Sequence, residues 1–282
     1  MVAREPAGYR PFTNGLRSPI VAPLTRFLLG VPLVFLTTRT DTYFAWTIAV
    51  PLTAAVLGSN YFASAFLALV ASRRRLWADG RISVTVALVF APITTAATFL
   101  HLGLFHTDTV IGWIWIVAYG LYPPMLLYML FRQVRTPGVD PPRGRPLPAW
   151  VRVMLGLQAL VLIPLGVVMF VAPETAAKVF PWALTPLTSR VLSAWCLAFG
   201  ALAVQAIREN DLERVWVALA ASSVLAVFHT ISLLRFGEDV EWSRPGAWVY
   251  LALIAMWYVL PAWAYLARRR RPAVTEARVA AA

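Results

Sequence analysis

The sequence predicts an all-α integral membrane protein, with eight transmembrane helices arranged as two parallel four-helix repeats about a pseudo-two-fold axis along the membrane normal. Three observations carry that prediction. First, the chain of 282 residues is 60% hydrophobic and only 13% charged, about half the charge of an ordinary soluble domain. Second, apolar stretches of roughly 17–25 residues, each long enough to cross a hydrocarbon core, recur along its length. Third, landmarks recur in the same order in the two halves. Phe44, Ala45 and Trp46 followed by Pro51, Leu52 and Thr53 return as Phe180, Pro181 and Trp182 followed by Pro186, Leu187 and Thr188. Pro124, Tyr128 and Arg132 return as Pro261, Tyr265 and Arg269. Thr94 and Thr95 with His101 return as Ser222 and Ser223 with His229.

The expected helices fall near 20–38, 51–72, 82–101, 110–131, 149–172, 186–207, 215–234 and 246–267. The first is the least regular, because Arg26 interrupts it and Pro32 lies inside it. An arginine near a helix end extends its head to the interface, so a span survives. Arginines then set the orientation. Arg4, Arg10 and Arg17 precede the first span; Arg73, Arg74, Arg75 and Arg81 follow the second; Arg132, Arg135, Arg143 and Arg145 follow the fourth; Arg268, Arg269, Arg270 and Arg271 follow the eighth. With eight spans all of these lie on one side. Cytoplasmic loops carry the arginine excess, which predicts both termini in the cytoplasm. Arg39, Lys178, Arg235 and Arg244 fall on the other, sparser side. Around Arg208 and Arg214, the acidic Glu209, Asp211 and Glu213 dilute the signal but count little in this rule.

Residues 136–148 hold five prolines and two glycines, a density that prevents helix and gives an extended connection. They divide the chain into an N-terminal tail (1–19), a first repeat (20–135), the linker (136–148), a second repeat (149–271) and a C-terminal tail (272–282). The net charge is +12, and Lys178 is the only lysine. The arginines sit in short loops between apolar runs, so the charge reads as topology and not as nucleic-acid binding. The arginine bias fits a GC-rich bacterial genome, hence a bacterial cytoplasmic membrane. Cys196 is the only cysteine, which excludes an internal disulfide and a paired-cysteine metal site.

The aromatic and proline echoes follow from the bilayer. Trp46 and Trp182 are expected as half-wet interfacial anchors, or as part of a segment lying over the outer mouth of the bundle. Pro51 and Pro186 suit the first helical turn, and Thr185 is placed to cap it. Pro124 and Pro261 are expected to kink their helices, with a tyrosine and an arginine anchoring the inner ends.

The polar stripes are the candidate site. Thr94, Thr98 and His101 share one helix face, as do Ser222 and His229, with Ser232 a turn on. Two readings stand. In one, both histidines are satisfied between helices. In the other, they converge on haem iron, a metal or a quinone oxygen, to which neutral imidazole is suited. His106 is a third candidate in the outer loop. Arg190 is expected to pair with Glu174 or Asp41, and Gln158 and Gln205 are isolated amides within spans. No catalytic constellation, P-loop or dinucleotide fingerprint is present.

Phe170, Val171, Ala172, Pro173 and Glu174, followed by Val179, Phe180, Pro181 and Trp182, resemble the small four-helix bacterial membrane proteins of the DoxX-like kind. The resemblance implies a four-helix unit, here duplicated, and an association of some members with quinone-linked redox enzymes. It transfers no site residue. Three functions follow as expectations: a non-enzymatic protein that binds a lipid or apolar ligand or serves as a subunit of a membrane complex; a haem- or quinone-binding electron carrier; or a small-molecule transporter, since many carriers are two related halves.

Overall fold

The computed structural model describes residues 8–17 and 21–269. Arg4, Arg270, Arg271, residues 1–7 of the expected N-terminal tail and the whole expected C-terminal tail lie outside the described residues. Among those described, every regular element is helical: α1 (Asn14–Arg17), α2 (Val21–Phe35), α3 (Thr40–Tyr43), α4 (Pro51–Ser72), α5 (Trp77–Leu100), α6 (Val110–Val134), α7 (Ala149–Val171), α8 (Pro173–Val179), α9 (Pro186–Glu209), α10 (Leu212–Phe236) and α11 (Pro245–Arg269), with 3-10 turns at Thr37–Arg39, Leu102–Leu104 and Gly237–Asp239.

Seven of these helices, α4, α5, α6, α7, α9, α10 and α11, are long and apolar enough to cross a membrane. They coincide with the second to eighth expected spans to within a few residues. The first expected span, 20–38, is shorter than read. α2 has 15 residues, about 22 Å at 1.5 Å per residue, against a hydrocarbon core of about 30 Å. Arg26 on this helix donates to the Tyr122 hydroxyl of α6 at 2.9 Å.

The helix starts follow their sequence signals. Pro51 and Pro186 both sit in the first turn. Thr185 and Thr188 form a reciprocal capping box, and Asp211 accepts from the backbone N–H groups of Glu213 and Arg214 to start α10, so the orphan donors of those first turns are met. α6 and α11 run unbroken through Pro124 and Pro261.

α4 and α9 form the centre. α4 packs along α2 and α10, and α9 along α7 and α5, while α6 lies on α5 and α11 on α10. The close pairs need glycine. A Cβ on Gly30 would meet the Phe62 ring at 2.7 Å and the Gly58 carbonyl oxygen at 3.2 Å. A Cβ on Gly166 would meet the Leu197 side chain at 2.7 Å and the Ser193 carbonyl oxygen at 3.1 Å.

The element starts repeat at a constant spacing. α4 and α9 begin at residues 51 and 186, α5 and α10 at 77 and 212, the following 3-10 turns at 102 and 237, and α6 and α11 at 110 and 245, each pair 135 residues apart. The echoed proline, tyrosine and arginine, 137 residues apart, sit two residues out of this register. The echoed histidines, 128 apart, sit seven residues out, about two helical turns. At the 135-residue spacing, His229 falls opposite Thr94.

The two ends of the bundle differ. At one, the linker is laced to the helices. Leu212 donates to the Arg145 carbonyl, and Leu147 to the Asn210 side chain. The N-terminal segment joins the same end: Arg10 donates to the Val139 carbonyl and Phe12 to that of Arg75. Gly138, at φ +124°, lets this chain cross against Arg10. Residues 8–13, expected as part of a tail, are therefore fixed. Here Glu209, 2% exposed, is bracketed by Arg81 at 2.5 Å and Arg214 at 3.1 Å, and Arg81 also pairs with Asp140. Both halves meet on that one carboxylate, and the same two arginines carry the linker through Asp140 and the Pro141 carbonyl. The other end carries the segments 44–46 and 180–182 and is called the lid end below.

Two stability results are expected. Gly166→Ala lowers the thermal midpoint, the clash costing about 1–3 kcal/mol. Gly156→Ala, on the same helix with open space at its Cβ, raises it through helix propensity worth up to about 1 kcal/mol. Separately, Glu209→Gln costs about 3–5 kcal/mol, because it leaves the buried Arg214 uncompensated. Glu213→Gln, at the more exposed pair with Arg268 (2.8 Å, Glu213 side chain 42% exposed), costs about 1 kcal/mol or less. Thermal unfolding in detergent measures all four.

Candidate functional site

A cavity of about 270 Å³ lies in the second half beneath residues 180–182. α7, α9, α10 and α11 supply most of its wall, and α4 contributes Val56 and Asn60. Among the described residues, no charged side chain lines it. α7 and α11 pack on different neighbours and touch each other only slightly. Val179 and Val249, both exposed, belong to the cavity lining.

The lid is built from stacked rings. Phe180 packs on Trp182 at 4.6 Å, Trp182 packs on Tyr250 at 5.3 Å, and the Trp182 indole N–H donates to Thr53 at 2.9 Å. In the first half Phe44 packs on Trp46 at 4.6 Å, and Trp46 packs on Trp115 at 5.0 Å. Each lid is tied to the loop beyond the 3-10 turn. His106 N–H donates to the Ala45 carbonyl at 2.9 Å, and Glu241 N–H to the Pro181 carbonyl at 2.7 Å. Trp46 and Trp182 are each 1% exposed. The expectation of half-wet anchors is thus corrected. Both indoles fold inward onto ring contacts; Thr53 satisfies the Trp182 N–H, whereas the Trp46 N–H is buried without a hydrogen-bond partner.

The polar part of the cavity wall is a chain of three groups. His229 Nε2 meets Asn60 Oδ1 at 3.1 Å, and His229 Nδ1 meets the Tyr250 hydroxyl at 2.8 Å. With the asparagine oxygen accepting from Nε2–H, Nδ1 is the lone pair that accepts from Tyr250. All three residues are buried or nearly so, and their polar groups are satisfied by one another. Asn60 reaches this chain from the first half.

The expected site residues do not gather in one place. His229 lines the large cavity, and Ser222 lines a smaller crevice of about 50 Å³ nearer the linker end, its hydroxyl donating to the Leu219 carbonyl. Thr98 is fully buried, donating to the Thr94 carbonyl and accepting from the Trp115 indole. Thr94 is fully buried and its hydroxyl has no partner. His101 lies past the end of α5 and accepts from Arg190 at 2.6 Å. Arg190 also donates to the Phe170 carbonyl at 3.0 Å, so its partners are His101 and a backbone oxygen, not Glu174 or Asp41. His106 uses both ring nitrogens on Phe44 and Thr47.

This donor chemistry does not suit a haem iron, a metal or a quinone oxygen. Both ring nitrogens of His229 are committed to neighbours, and His101 presents its Nε2 to a guanidinium, whose charge repels a cation. No cluster of three or more histidine, cysteine or acidic side chains stands together among the described residues.

Sequence reasoning singled out His229 and Gln158 but missed Tyr250, which is one more aromatic residue in an apolar run and carries no spacing signal. Comparison of the chain with protein-family models, with curated proteins and with solved structures gives no match.

Burial, and then the charge of Arg190, hold His101 below its ordinary pKa of 6.5. The unfolded chain therefore binds more protons as pH falls through that value, and this contribution to stability is present above it and lost below it. Thermal midpoints measured across this range should fall less on acidification for His101→Gln than for the unaltered protein.

Proposed function

We propose that this protein is a non-enzymatic, multi-pass protein of a bacterial cytoplasmic membrane that binds a lipid or other apolar chain in the cavity of its second half. The single observation that carries the reading is the contrast between the halves at corresponding positions. Tyr61 in α4 bonds to Tyr119 at 2.6 Å and packs against Phe90 and Trp115, filling the first half with rings. At the 135-residue spacing Cys196 stands opposite Tyr61, and Ile254 opposite Tyr119. The second half is hollow where these rings would be. Left empty, a volume of about 270 Å³ would cost on the order of 6 kcal/mol in lost packing. An apolar chain from the bilayer, entering between α7 and α11, offsets that cost.

The reading includes eight crossings by two parallel repeats. The constant spacing, the matching helix neighbours and the paired glycine contacts of Gly30 and Gly166 support the repeats. Arg17 donates to the Ser72 carbonyl near the linker end, and Arg235 donates to the Val34 carbonyl near the lid end. The chain between Arg17 and Val34 thus passes from one end to the other, which supports α2 as the eighth, short crossing. The arginine excess at the linker end supports a cytoplasmic linker and cytoplasmic termini. On this reading the resemblance to DoxX-like units describes each half. The exposed apolar faces of α6 and α11 meet lipid or another subunit of a membrane complex.

The test is the lipid that the protein retains. Native mass spectrometry and extraction of the protein purified in mild detergent should find an apolar species bound to the unaltered chain and depleted in Cys196→Tyr. Equal retention by both, with both folded, would remove the cavity from consideration.

A further inference from the structure

Resting on the reading of the cavity as a binding site, we infer that the ligand enters tail-first as a straight apolar chain, and that Trp257 and Phe199 set the chain length accepted. The large cavity and the smaller crevice are stacked in one slot between the same helices. Along α9 the large cavity runs from Leu192 to Phe199 and the crevice from Phe199 to Ala206. Along α11 the first ends and the second begins at Trp257. Phe199 and Trp257 belong to both walls, so their rings, 6.4 Å apart and nearly edge to face, form the partition. Each compartment spans seven residues of α9, about 10 Å, and the two in series about 21 Å.

The partition is fixed by an amide, Gln158, in the wall of the crevice. Gln158 on α7 donates to the Phe199 carbonyl at 3.1 Å and accepts from the Trp257 indole at 3.3 Å. Both functions of its side chain are therefore used to hold the two ring-bearing helices in place. This accounts for a buried amide within a span, where polar groups are costly unless paired. His229 packs on the other side of the Trp257 ring at 5.2 Å. Its bonds to Asn60 and Tyr250 stiffen that wall too.

The tail-first orientation follows from the lining. Asn60, His229 and Tyr250 satisfy one another, and among the described residues no charge faces the space. A charged headgroup buried there would have no partner, whereas a hydrocarbon chain replaces a void with contacts. The headgroup remains at the lid end, beside the exposed Val179 and Val249.

Straight-chain 1-alcohols, from octanol to octadecanol, test the idea. Each is held at one mole fraction in the detergent micelle, and occupancy is read by native mass spectrometry. While the chain still fills void, occupancy of the unaltered protein should rise by roughly threefold per methylene, the factor expected from the cost of unfilled core volume. The rise should then stop. In Trp257→Ala it should continue over several further carbons, and in Trp257→Ala/Ala218→Phe, which blocks the crevice, it should stop again at the shorter length. If Trp257→Ala does not fold, Phe199→Ala carries the same comparison. Alcohol binding with one unchanged length limit in every folded variant would overturn the inference while leaving the cavity as a site. Occupancy of the unaltered protein no greater than that of Cys196→Tyr at any length would instead overturn the binding reading itself.

Discussion

The bundle depends on two helices, α4 and α9, that are covered on nearly every face. Between helices in a bilayer there is no hydrophobic drive, because lipid tails are as apolar as leucine; association rests on close packing and internal hydrogen bonds. α4 and α9 meet that constraint with small residues, Ala54, Ala55, Gly58, Ser59 and Ala63 on the one and Ser189, Ser193, Ala194, Ala198 and Ala203 on the other, all buried. Each is clasped by one helix of its own half and one of the other: α2 and α10 hold α4, α7 and α5 hold α9. The arrangement is crossed, so neither half closes its core alone. Ser59 bonding to Ser232 at 3.1 Å and Asn60 bonding to His229 are local expressions of the same crossing.

From that crossing comes the asymmetry of the interior. In each half a lid of phenylalanine and tryptophan closes one end, and the rings beneath it decide what volume is left. Trp46, Trp115, Tyr61, Phe90 and Tyr119 make a continuous stack in the first half. The stack reaches the second half through Phe90 against Trp195 at 4.1 Å. Beyond Trp195 the rings no longer fill the slot; they line it. One architecture thus yields a half filled with rings and a half that keeps a cavity of about 270 Å³. The polar groups follow the same division: Thr98 is absorbed into packing, while His229 stiffens a wall.

The fold was largely legible in the sequence, because helix length, loop prolines and arginine placement are imposed by the bilayer. α4 begins at Pro51 and ends at Ser72 as expected, since a proline start and an arginine stop leave little freedom. The first span is expected to run on to residue 38, because hydropathy does not register that the helix gives way after Phe35 to a 3-10 turn at Thr37–Arg39. The site was legible only in part. Polar residues inside spans are few, and three of them, Asn60, Gln158 and His229, do line the slot. What a single sequence hides is ring placement. Tyr250 and Trp257 look like any aromatic residues of an apolar helix, and whether a tryptophan lines a space or fills it depends on what stands opposite on another helix.

The paired histidines show how a sequence echo can mislead in detail. Heptad-like spacing places residues seven apart on the same face, so a register error of seven residues preserves every face relation used to recognise the stripe. His101 and His229 therefore looked like partners although they lie about two turns apart in depth. The helix starts carry no such ambiguity, because caps and prolines occur once per helix. At their spacing Thr94 stands opposite His229. Thr94 is packed with its hydroxyl unpartnered, whereas His229 finds both an amide and a phenol. That difference argues that the second half was shaped by something besides stability. A threonine is enough to pack the position, and a histidine buried there is tolerable only because Asn60 and Tyr250 were placed to meet it, at the edge of a space that the first half does not keep.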